Sequence, residues 1–145
     1  MTRTSHGKLI LGVSKLIEAF LKIKERRFRV GEVLSFSLEI SNTQDKTLKL
    51  FFPTSKIYDF AVYDESGKEV YRWSRNKLFT QVITRIVLKP KETKVFSLEW
   101  DQKVRFGEKA KPGKYQIIGE VGPFWLEDKK EKLIVKTLSL NVEII

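Results

Sequence analysis

The sequence predicts an all-β, antiparallel sandwich of about seven to nine strands, and three observations predict it. Apolar residues recur with period two along most of the chain, clusters of turn-forming residues interrupt them, and no helical stretches stand between the runs. In "VLSFSLEIS" the residues Leu34, Phe36, Leu38 and Ile40 alternate with Ser35, Ser37 and Glu39, as in a half-buried strand. Leu48, Leu50 and Phe52 repeat the pattern until Pro53 stops it. Phe96, Leu98 and Trp100 alternate further on, as do Leu138, Leu140, Val142 and Ile144. The turns are "NTQDK" at 42–46, "DESGK" at 64–68, "KPKE" at 89–92 and "KPGK" at 111–114. Predicted interior residues are Phe36, Leu38, Leu50, Phe60, Val62, Phe96, Leu98, Ile117 and Val142.

Elsewhere the pattern is less simple. Leu9, Ile10, Val13, Leu16, Ile17, Phe20 and Leu21 have helical spacing, yet Ile17, Ala19, Leu21 and Ile23 also fit a strand. A strand over 16–24 is favoured, because Arg29 to Glu32 then makes a tight turn, with Gly31 free to take positive φ. Strand and helix both stay open over 8–24. Residues 1–7 are expected as a flexible tail and 8–145 as one domain. In "IYDFAVYD" both faces are largely apolar, as in a strand covered on two sides. Asp64 and Gly67 make the following "DESGK" a hairpin, and "EVYRW" is the returning strand.

Composition narrows the functional classes. The chain has 145 residues, 41% apolar and 32% charged, with 28 Lys and Arg against 18 Asp and Glu. A formal charge of +10 suits an acidic partner, although anions are interleaved with the cations along nearly every strand. Twenty lysines, seven Asn and Gln together, and one Met make a thermophile-like surface. The absence of cysteine excludes disulfides and thiol chemistry and fits a reducing cytosol. "LILGV" is too short for a signal core, so the expected location is cytoplasmic.

Bond chemistry finds little footing. His6, the one histidine, falls in the expected tail, where no serine can be held beside it. No nucleophile elbow, zinc-binding helix, phosphate loop or calcium loop is present. No catalytic residue, metal ligand or cofactor is therefore expected. Asp59, placed in an aromatic strand, needs a cation, which Arg72 or Arg75 could supply. Phe28, between Arg27 and Arg29 in "KIKERRFRVG", reads as core with charged flanks rather than a platform for nucleic acid.

Three stretches carry side chains suited to protein contact. "SRNKLFTQ" has neither alternation nor much turn chemistry and offers Arg75, Asn76, Lys77, Leu78 and Phe79 as the candidate contact loop. The basic stretch 101–112 offers Lys103, Arg105, Lys109 and Lys111 as a rival. Phe124 and Trp125, in what reads as a long loop over 122–132, cap the sandwich or anchor a partner.

An aromatic strand ending "FFP", then "YDFAVYD", a glycine turn, "EVYRWS", "FTQ", "LKPKET", a strand ending in Trp100, and "PGKY" follow one another along the chain. Over about residues 33–121 this order resembles the BsuPI-type intracellular proteinase inhibitor family. The resemblance implies an Ig-like β-sandwich and a non-enzymatic, protein-binding role directed at an intracellular serine protease. A non-inhibitory Ig-like adaptor module is the alternative. Either role implies a protein partner, with no membrane, no small-molecule substrate and little place for nucleic acid.

Overall fold

The computed structural model describes residues 3–6, 9–11 and 16–145, with side chains from Leu16 onward. The period-two runs become strands that alternate between core and surface, as in Leu34–Asn42, where every second side chain is buried. In chain order the strands are β1 (Arg3–His6), β2 (Leu9–Leu11), β3 (Ile17–Ile23), β4 (Arg27–Phe28), β5 (Leu34–Asn42), β6 (Leu48–Phe52) and β7 (Tyr58–Tyr63). There follow β8 (Glu69–Arg72), β9 (Thr84–Leu88), β10 (Thr93–Trp100), a 3₁₀ turn (Arg105–Gly107), β11 (Gly113–Leu126), β12 (Leu133–Lys136) and β13 (Leu140–Ile144).

One sheet has the order β1-β3-β5-β10, antiparallel throughout. The other is organised on β11, whose first half lies between β13 and β7 and whose second half meets β12 and β6. β8, the hairpin partner of β7, and β9, which pairs antiparallel with β6, lie at the edges. The sheets face each other as an Ig-like sandwich. Phe36 of β5 meets the edge of Phe60 of β7 at 5.1 Å, and Tyr58 of β7 meets Phe96 of β10 at 5.0 Å. Leu21 and Leu38 close over Gly119 of β11, where an added Cβ would lie 3.1 and 3.2 Å from their methyl groups.

The predicted interior is buried, apart from Phe96, which is half-buried at the aromatic margin. β7 is covered on both faces, with Asp59 to Val62 all buried. Residues 17–23 form a strand, and Arg29 to Glu32 make the expected turn, with Gly31 at φ 88°.

Several details differ from expectation. Thirteen strands are found among the described residues rather than seven to nine, because short pieces pair along the edges and the last return strand is interrupted. Arg3–His6, expected in a tail, pairs with β3; residues 1, 2 and 7 of that tail lie outside the described residues, as does the His6 side chain. Phe124 and Trp125 belong to β11 and not to a loop, since β11 continues through Gly122 and Pro123 to Leu126. Leu138 is half exposed and precedes β13. Leu133, Val135 and Thr137 point inward and so do Leu140, Val142 and Ile144, so an irregular step between them changes the phase of the alternation. Among the described residues no helix is long and apolar enough to cross a membrane.

Candidate protein-contact site

Asp59 is fully buried in β7, and a buried carboxylate requires compensation. Its Oδ1 accepts hydrogen bonds from the backbone N–H groups of Phe60 (2.9 Å) and Ser74 (3.1 Å). Its Oδ2 accepts from the Ser74 hydroxyl and meets Lys56 Nζ and Arg72 Nη1, each at 3.1 Å. Burial pushes the carboxyl up, but the Ser74 hydroxyl, Lys56 and Arg72 outweigh it and hold it below the ordinary carboxylate range.

Arg72 extends the network. It meets Glu69 at 2.9 Å and Glu120 at 3.3 Å, and Glu69 also binds Arg75 at 2.6 Å. Burial works against the Arg72 cation, yet Glu69, Glu120 and Asp59 raise its pKa. Glu69 is lifted by burial but brought down further by Arg72 and Arg75. Of the two cations expected to answer Asp59, Arg72 does so and Arg75 serves Glu69. Lys56 is a third partner that the sequence did not signal, since it lies outside the hairpin.

This network fixes the root of the segment 74–79. Trp73 N–H bonds to Phe60 O, and two successive turns follow, Arg75 N to Arg72 O and Lys77 N to Ser74 O, both 3.1 Å. Asn76 takes φ 68°, a left-handed position that asparagine tolerates. The far root is fixed by Thr80, whose N–H bonds to Ser55 Oγ at 2.8 Å and whose carbonyl accepts from Ser55 N–H at 2.9 Å. Between these roots the Trp73 ring rests on Tyr58 at 4.9 Å and on Phe79 at 5.9 Å, with Lys77 Nζ 4.7 Å from its centroid. Phe79 is therefore turned back as packing, whereas Leu78 is 100% exposed.

The basic loop is built in the same way. Gln102, fully buried at φ 66°, donates to Arg29 O (2.7 Å) and accepts from Gly31 N–H (3.0 Å), while its carbonyl accepts from Ala110 N–H (2.7 Å). The Trp100 indole donates to Lys103 O, and Val104 N–H bonds to Glu108 O. The neck is closed and the tip is the 3₁₀ turn, where Phe106 stands 98% exposed. Gln102 went unrecognised in the sequence, because one glutamine in a polar loop carries no pattern.

The two loops, expected as rivals, flank one groove of about 670 Å³. Val70, Tyr71 and Arg72 lie along it, with Arg75 and Asn76 from one loop and Val104 to Gly107 from the other. Arg105 lies 4.0 Å from Glu69, which joins the loops electrostatically. Lys103 and Lys109 pair across the neck, Lys111 O accepts from the Tyr115 hydroxyl, and all three lysines are exposed. Phe124 and Trp125 lie elsewhere. Phe124 is buried against Phe52, and Trp125 stacks on Phe51 at 5.8 Å. Among the described residues no group of three or more His, Asp or Glu could hold a metal ion.

A family model described as intracellular proteinase inhibitor, BsuPI, matches residues 21–122, which hold both loops and the Asp59 network. The chain belongs to the BsuPI family. The match ends at Gly122, so Phe124 and Trp125 lie outside the matched residues. No curated protein matches the sequence. An alkylpurine DNA glycosylase from Pseudomonas fluorescens is 13% identical with a TM-score of 0.51, over 89% of this chain and 30% of the other. A β-glucosidase from Erythrobacter marinus is 15% identical with a TM-score of 0.47, over 98% and 16%. A CARDB domain from Pyrococcus furiosus is 16% identical with a TM-score of 0.47, over 90% and 94%. The chain spans less than a third of the glycosylase and glucosidase chains, and at this identity the glycosylase likeness concerns the fold alone.

Proposed function

We propose that this BsuPI member inhibits an intracellular serine protease by binding, with residues 74–79 as the segment that enters the substrate cleft. The observation that carries the proposal is Leu78, fully exposed on a segment anchored at Ser74 by buried Asp59 and at Thr80 by Ser55. An inhibitor loop must fit a cleft without being turned over, and a loop ordered before binding loses less entropy on association. Leu78 is the side chain for the specificity pocket, Arg75 and Lys77 contact the rim, and Phe79 keeps the segment in shape. The role needs no catalytic residue and no cofactor. The family description as intracellular and the lack of cysteine support a cytoplasmic location.

The test is a titration of purified host intracellular subtilisin-type protease on casein. Inhibition that rises with dose and is lost when 75–79 are replaced by glycine and serine is expected. Unchanged cleavage with excess protein refutes the proposal. A stable complex with a partner that is not a protease, without inhibition, would favour the adaptor alternative.

A further inference from the structure

We infer that the groove between the two loops takes an acidic segment of the partner that also carries an apolar side chain. This deepens the inhibitor proposal and rests on it for the partner's identity, because the groove adjoins the segment assigned to the cleft. Residues 72–79 hold three cations and no anion; Arg72 is taken up by Asp59, Glu69 and Glu120, which leaves Arg75 and Lys77, and the opposite wall adds Arg105. Charge complementarity therefore selects a carboxylate-bearing occupant.

One carboxylate already marks the position. Glu69 meets Arg72 at 2.9 Å, Arg75 at 2.6 Å and Arg105 at 4.0 Å. The side chains of Arg75 and Arg105 remain 36% and 48% exposed, so both guanidinium groups keep donors for an incoming carboxylate. The apolar part follows from Phe106. A ring 98% exposed at the groove edge is poorly solvated until covered, and aromatic and arginine side chains together form the usual anchors of an interface. Asp101 and Glu108 are the anions of the basic loop. Asp101 is engaged by Lys103 at 3.9 Å, so the loop stays net positive.

Fluorescence anisotropy of the full chain with labelled peptides tests the inference. The probes are an alternating Glu-Leu octapeptide and its Gln-Leu counterpart. The acidic peptide is expected to bind about tenfold more tightly than the neutral one and to weaken as salt rises. Arg105→Glu should abolish that preference, and so should Arg75→Gln, the milder change beside Glu69. Lys130→Glu with Lys132→Glu, which lowers net charge on the far side of β11, should preserve it. Equal binding of both peptides overturns the inference, as does no binding at all or equal loss in the Lys130/Lys132 variant. A chain that takes the acidic peptide and leaves the protease active removes the inhibitor proposal but retains the docking chemistry. One that inhibits the protease and ignores the peptide does the reverse.

Discussion

Replacing Asp59 by alanine takes away the carboxylate that Lys56 meets, leaves Arg72 to Glu69 and Glu120, and frees the Ser74 hydroxyl and N–H. Both cations are 26% exposed and Arg72 keeps two carboxylates, so the main loss is of buried hydrogen bonds, and urea unfolding of Asp59→Ala should show a loss of about 1–3 kcal/mol. The pH dependence has a definite sign. Asp59 and Glu69 are both held below the ordinary range when folded, so the folded form releases these protons more readily than the unfolded form. Their contribution is complete above the unfolded values, near about pH 4, and drains away as pH falls through the lower folded values. Urea midpoints taken from about pH 6 to about pH 2 should fall on the acid side, and Asp59→Asn should flatten that limb. Leu78 is the contrast. Fully exposed, it should tolerate Leu78→Gly within about 0.5 kcal/mol while inhibition is lost. The Asp59 partnership was legible because a carboxylate in an aromatic strand demands a cation. Lys56 and Gln102 were not, because their roles arise from where separate loops meet.

The strands were legible wherever one face is buried and the alternation keeps its phase. The stretch from "IYDFAVYD" through "EVYRW" is a hairpin whose aromatic and charged residues divide into a sandwich core and the anchor of the next loop. Reading failed at the end of β11 and at 137–139, where the phase changes and an inward position becomes an outward one without a marked change in composition. The sequence points to a loop for Phe124 and Trp125 because "GP" is ordinarily a turn signal. Gly122, at φ 114°, could have flagged the irregularity, and it has no room for a side chain. A Cβ there would lie 2.6 Å from Leu133 O. Gly122→Ala should cost more than about 1 kcal/mol, seen as a lower thermal midpoint. In the 74–79 segment, Trp73 is the spacer between Tyr58 and Phe79. Trp73→Ala should cost about 1–3 kcal/mol and raise amide exchange across 74–79 more than elsewhere.

Across the whole molecule, the surface charge divides into two kinds. Cross-strand pairs such as Lys22 with Glu39 at 3.2 Å and Arg27 with Glu143 at 3.3 Å belong to a solvated exterior, as expected from the interleaving. Around the groove the cations exceed the anions, and the two most exposed apolar side chains among the described residues, Leu78 and Phe106, stand on its two loops. The two loops look like alternatives in the sequence, but strand topology, not chain order, decides which loops become neighbours, and these two line one groove. Hydrogen exchange of the protein with and without a saturating intracellular serine protease examines this face directly. Protection concentrated in 74–83 and 103–109, with the turn around Asp64 to Gly67 unchanged, is the predicted result. Protection confined to that turn and the adjoining ends of β4 and β13, or no protection anywhere, would contradict it.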